Sequence, residues 1–113
     1  MDFKRDKYRK SRGNYSRVLE LSCRVCKNKI ANYQKDGAGN LRRMYLDRII
    51  APPKLANLQN KAIASIPPLR CPYCKEDLGT PYVYKKEQRK AFKVYQDAIK
   101  KKVVKLSTIT QNS

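Results

Sequence analysis

At 113 residues and 13.2 kDa the chain is long enough for one small domain and too short for a large buried core. Lys and Arg number 27 against 9 Asp and Glu, a formal net charge of +18, and there is no His. These facts exclude a Ser-His-Asp set, and no glycine loop of Walker type or apolar run of about 18 residues for a membrane-spanning helix occurs.

Residues 1–17 are polar, basic and aperiodic, with Lys4, Arg5, Lys7, Arg9, Lys10, Arg12 and Arg17 set among Phe3, Tyr8 and Tyr15. This composition predicts a flexible, disordered basic tail whose removal leaves the fold intact. Asp2, Asp6 and the lack of an apolar stretch argue against a secretory signal or transit peptide. Residues 18–84 form the expected domain. Val18–Ser22 reads as a strand running into Cys23, and a second strand is expected around Ile30–Gln34. Lys35–Asn40, with Asp36-Gly37 and Gly39-Asn40, is the strongest turn signal and opens an expected insertion over 35–68. Leu41–Leu46 is read as strand. The proline pairs Pro52-Pro53 and Pro67-Pro68 bracket Leu55, Leu58, Ala62, Ile63 and Ile66, whose spacing predicts a short amphipathic helix. Leu69-Arg70 is extended and Tyr82–Tyr84 is β-prone. From Lys85 to Val104, Phe92, Tyr95, Ile99 and Val103 recur at helical spacing opposite Lys86, Arg89, Lys90, Lys93, Lys100 and Lys101, which predicts a basic amphipathic helix. Residues 105–113 are expected to fray.

All four cysteines fall in two pairs, Cys23-Arg-Val-Cys26 and Cys71-Pro-Tyr-Cys74. Two thiolates three positions apart bend onto one ion in a tight turn, so two such turns fill a tetrahedral shell of Zn²⁺. A shell of four sulfurs has no open position for water or substrate and is structural. Paired thiols of this kind belong to a reducing compartment, cytoplasmic or an organellar matrix, and not to a secreted disulfide protein.

These knuckles, one following a strand and the other written Cys-Pro-x-Cys before Leu78-Gly79, resemble the zinc ribbon family. The resemblance implies a small α+β fold of metal-stapled β-hairpins, extended here by the insertion, the basic helix and the tail. A rubredoxin-like iron site is the rival reading of Cys71–Cys74, but Lys27 and Lys75 stand where that pattern commonly has glycine.

A charge of +18 exceeds what solubility requires and points to a polyanion, because each phosphate neutralised releases a counterion. The basic residues of the tail and the predicted helix, together with Arg42, Arg43 and Arg48, are the candidate nucleic-acid contacts. The overall design is similar to the small zinc-containing proteins of the ribosome. That likeness implies a non-enzymatic RNA-binding component contacting rRNA, with neighbouring ribosomal proteins as further partners. The alternative is a zinc-ribbon module of the transcription machinery, binding DNA or a protein.

Overall fold

The structure is a computed structural model and describes residues 3–106. In chain order the elements are a short helix α1 (Lys7–Ser11), β1 (Ser16–Cys23), β2 (Lys29–Asp36), β3 (Arg43–Tyr45), β4 (Ile49–Ala51), α2 (Pro53–Ala56), β5 (Leu69–Arg70), β6 (Asp77–Tyr84), β7 (Arg89–Val94) and β8 (Ile99–Val104). Single 3₁₀ turns occupy Leu46–Arg48, Asn57–Asn60 and Ile63–Ser65. The strands form two four-stranded sheets, ordered β4-β2-β1-β8 and β3-β7-β6-β5.

Each sheet is built on one hairpin and borrows a strand from the other half of the chain. The β1–β2 hairpin takes β8 from the C-terminal half, and the β6–β7 hairpin takes β3 from the N-terminal half. The predicted insertion therefore contributes strands to both sheets. Between them lies one apolar core that includes Leu19, Leu21, Tyr33, Met44, Leu46, Leu78 and Phe92. Alternation along β1 turns Leu19, Leu21 and Cys23 inward. Gly79 lets β7 pass closely, since a Cβ there would lie 2.8 Å from the Lys93 carbonyl oxygen.

The predicted helix over 85–104 is corrected to β7 and β8. Its supposed apolar face is scattered: Phe92 is buried, whereas Tyr95 and Val103 are 46% and 57% exposed. Left-handed turns at Gln88 (φ 53°) and Asp97 (φ 60°) break the segment, and neither carries the usual glycine signal. β7 obtains its hydrogen bonds from its hairpin partner β6 and from β3, and β8 from β1; β3 and β1 are distant in sequence. The helix expected between the proline pairs is likewise resolved into α2 and the two 3₁₀ turns at Asn57–Asn60 and Ile63–Ser65. Fraying of 105–113 concerns, beyond Leu106, residues outside those described.

The disordered tail is corrected as well. Asp6 caps α1 by accepting hydrogen bonds from the amides of Tyr8 and Arg9, and its Oδ1 lies 2.6 Å from Arg48 Nη2. Arg12 pairs with Glu87 at 2.8 Å and donates to the Tyr45 hydroxyl. The backbone of Lys4 exchanges two hydrogen bonds with the side chain of Gln34, itself buried on β2. Gly37 (φ 72°) lies against the end of α1, where a Cβ would come within 2.5 Å of the Arg12 carbonyl oxygen. The segment is ordered because β2 and the Leu46–Arg48 turn leave buried polar groups that need partners, and these residues supply them.

Arg48 is the centre of this arrangement, with its side chain 1% exposed between Asp36 (2.8 Å) and Asp6. Replacing Arg48 by methionine leaves the Asp36 carboxylate buried without its cation and should cost about 3–5 kcal/mol, measured by denaturant unfolding. A loss below about 1 kcal/mol would mean that the pair is not closed in solution.

Candidate functional site

The two cysteine pairs occupy equivalent turns at the tips of the β1–β2 and β5–β6 hairpins. In each, the amide of the first cysteine donates to the carbonyl five residues on, Cys23 to Asn28 and Cys71 to Glu76, both at 2.9 Å. In each, the lysine after the second cysteine donates its amide back to the first cysteine's carbonyl, again at 2.9 Å. Lys27 and Lys75 adopt φ of 67° and 68°, the left-handed geometry that favours glycine. Both hairpins also shift register just before the knuckle, between Leu21 and Ser22 and between Leu69 and Arg70.

This equivalence extends into the sequence. Leu-x-Cys-x-x-Cys-Lys-x-x followed by Ile or Leu and a small residue reads Leu21–Ala31 in the first copy and Leu69–Gly79 in the second. The shared leucine and the aliphatic residue after each knuckle, Ile30 or Leu78, enter the core and aim each turn at the same point. Attention to the cysteines alone misses this longer near-repeat.

The four Sγ atoms lie within 4.8 Å of one another, with Cys23–Cys74 at 3.6 Å and Cys26–Cys71 at 3.5 Å. Sulfurs about 2.3 Å from a tetrahedral zinc stand about 3.8 Å apart, so the donor set is of the right size to close on one such ion. The electrostatics agree. The backbone amide of Asn28 is the largest influence on Cys26; with the Asn28 side chain and neighbouring thiols it outweighs desolvation and lowers the pKa to about 6. At Cys74 the amide of Glu76 acts in the same sense, but desolvation and the other three sulfurs outweigh it and push the pKa up to about 12. Four thiolates cannot all ionise together unless a cation neutralises them. The cluster can hold one metal ion and is consistent with a zinc-binding module; among the described residues it is the one such group.

The predicted nucleic-acid contacts divide into two classes. Arg48 and Arg89 are corrected: both are buried, Arg48 between Asp6 and Asp36, Arg89 beside Asp47 (2.7 Å) and Glu87 (3.2 Å) and stacked on the rings of Tyr8 and Tyr45. Arg12 is tied to Glu87, and Lys90 donates to the carbonyls of Gln59 and Lys61. Arg9 bonds Ser16 and Asn14, while Arg17 is half-buried beside the Gly37 carbonyl. Arg43 is half-buried over the Tyr84 ring. Lys4, Arg5, Lys7, Lys10, Arg42, Lys86, Lys93, Lys100 and Lys101 are exposed.

Three of the exposed residues, one of them more than 50 positions from the other two, come together. Arg42 before β3, Lys93 on β7 and Lys101 on β8 line a groove of about 700 Å³ between the two sheets, with Tyr95, Leu41 and Ile99 beside them. Asp97 is its one acidic residue and pairs with Arg24 at 3.8 Å. The Tyr95 hydroxyl shares a 2.6 Å hydrogen bond with Thr80, which holds a half-exposed ring at the groove. Tyr95 reads in sequence as one position of a helix face, so its place in the groove comes only from the turn to β8.

No protein-family model, curated protein or solved structure matches this chain. No helix among the described residues is long and apolar enough to cross a membrane.

Three outcomes follow from the candidate metal centre and its turns. Cys71→Ser and the equivalent Cys23→Ser should each lower metal content and unfold much of the chain, read by elemental analysis and circular dichroism. Loading zinc at pH 7 should release protons, Cys74 among the donors, so metal occupancy should fall as pH falls; calorimetry in buffers of different ionisation enthalpy measures this. Lys27→Gly and Lys75→Gly should each stabilise by up to about 1 kcal/mol by relieving the left-handed backbone.

Proposed function

We propose that this chain is a non-enzymatic RNA-binding protein, a ribosomal or ribosome-associated component organised around one structural zinc of the zinc-ribbon type. The observation that carries this reading is the groove lined by Arg42, Lys93 and Lys101 with Tyr95 among them. Cations spaced along a cleft neutralise successive phosphates, and an aromatic face held between them stacks on a base. Such a combination suits single-stranded RNA, whose bases are free to splay and stack.

Zinc is favoured by a set of four soft sulfurs at tetrahedral spacing, with no His in the chain to alter the set. A closed shell leaves the ion no catalytic position. The acidic side chains support the non-enzymatic reading too: Asp6, Asp36, Asp47, Asp77, Glu87 and Asp97 are all paired with arginine. At Asp6 and Glu87 burial raises the pKa, but hydrogen bonds and charge from arginine outweigh it and lower it, which makes both poor proton acceptors.

The test is binding of a fluorescent single-stranded RNA over a range of salt, beside duplex DNA of the same sequence, with sucrose-gradient sedimentation from native lysate. RNA should bind more tightly, and the protein should travel with a ribosomal subunit. Replacing Arg42, Lys93 and Lys101 together by alanine should reduce the slope of log affinity against log salt by about 2, at about 0.7 per single-strand contact. Preference for duplex DNA and an unchanged slope would overturn the reading in favour of a transcription module.

A further inference from the structure

Next to the groove, and sharing Asn40 and Arg42 with it, is a smaller cavity of about 90 Å³ between β2, β3 and the end of α1. Five cations line it, Arg12, Lys35, Arg42, Arg43 and Arg48, against one carboxylate, Asp36. That carboxylate is already engaged: Oδ1 accepts from Ser16 Oγ (2.7 Å) and Gln34 Nε2 (2.8 Å), and Oδ2 accepts from Arg48 Nε (2.8 Å). Arg12 and Arg48 have further acidic partners in Glu87 and Asp6. Lys35, Arg42 and Arg43 have none among the described residues, so the cavity wall keeps an excess of positive charge.

Three further observations point to an anion. Arg48, with a side chain only 1% exposed, has a buried Nη1 with no hydrogen-bond partner, although its Nε and Nη2 are both satisfied. A buried guanidinium nitrogen left in this state costs on the order of 1–3 kcal/mol unless something accepts its hydrogens. Arg43 is held from three sides: Nε donates to the Tyr82 hydroxyl, Nη1 to the Tyr45 hydroxyl, and the guanidinium lies 4.1 Å from the Tyr84 ring centre. Its orientation is thus set before any ligand arrives, which lowers the cost of binding one. The Lys35 ammonium is also destabilised, its pKa lowered by burial and by the charges of Arg17 and Arg12. An anion in the cavity would relieve the charge repulsion on Lys35. The volume accommodates several water-sized groups, enough for a phosphorus atom with its oxygens.

We infer that this cavity binds a phosphate group, and that its ligand is the terminal phosphomonoester of a polynucleotide strand lying in the adjoining groove. A terminal monoester carries about −1.5 to −2 at neutral pH, whereas a diester within the chain carries a single charge. It therefore matches an arginine and lysine pocket with surplus charge better than a backbone phosphate does. Arg42, common to both spaces, would contact the end of the strand and its first backbone link. This inference deepens the RNA-binding reading and rests on it.

The experiment compares full-length zinc-loaded protein binding to one single-stranded RNA carrying 5′-phosphate, 3′-phosphate or hydroxyl ends, with thermal stabilisation by inorganic phosphate in parallel. One terminally phosphorylated form should bind about tenfold more tightly than the hydroxyl form, the gain expected of a charge-assisted pair. Lys35→Gln and Arg43→Gln should each remove most of that preference, with metal content and unfolding temperature as controls for folding; either variant alone suffices if the other misfolds. Equal affinity for all three ends would overturn the inference while leaving groove binding intact. If no RNA binds but inorganic phosphate stabilises the wild type and not Lys35→Gln, the phosphate pocket stands and its assignment to a strand end fails together with the RNA reading. Absence of both responses would overturn the pocket itself.

Discussion

Four sulfurs from two hairpins converge on one point, and each hairpin belongs to a different sheet. The apolar core between those sheets is small, as it must be in a chain of 113 residues. A structural ion in a thiolate shell contributes on the order of 10 kcal/mol, which is comparable with the entire stability of a small domain. The matched turns make this economical in sequence: a leucine before each knuckle and an aliphatic residue after it enter the core, so burial aims the sulfurs before any ion arrives. The strand exchange, β3 to one sheet and β8 to the other, then locks the relative placement of the hairpins from outside the centre.

Arginine and lysine divide the electrostatic work. Each of the ion pairs among the described residues is made by arginine, including the buried pairs of Arg48 and Arg89. The planar guanidinium is weakly hydrated and has several fixed donors, so it tolerates burial between carboxylates and against tyrosine rings. The ammonium group is strongly hydrated and stays outside, as at Lys93, Lys100 and Lys101. Internal pairing thus consumes most of the few carboxylates and leaves the lysine charge uncompensated on the surface. The positive surface field is a by-product of this pairing of the acids with arginine.

Besides the proline-bracketed segment, two segments fold differently from their reading in sequence. The segment from Lys85 to Val104 has helical spacing, but spacing does not record that Gln88 and Asp97 turn left-handed or that β1 and β3 offer free edges. The first residues have a disordered composition, yet Asp6, Tyr8 and Arg12 meet Arg48, Arg89 and Glu87 across the fold. In both cases the deciding partner is more than 40 residues away, and local propensity is a weak guide against it.

Sequence by itself determined the candidate ligand set, because paired thiols without a competing histidine point to one soft tetrahedral site. It also determined the strands entering and leaving the first knuckle, the glycine-bearing turn at 37–39, and the sign of the charge. These features depend on residue type and on spacing within a few positions. Tertiary structure alone decided that Arg48 and Arg89 are internal struts, that Arg42, Lys93 and Lys101 share a groove with Tyr95, and that Lys35 and Arg43 wall a cavity beside it. The struts and the groove arise where segments far apart in the chain become neighbours, and the cavity where Arg12 closes over the bend between β2 and β3; no local property of the residues encodes that adjacency.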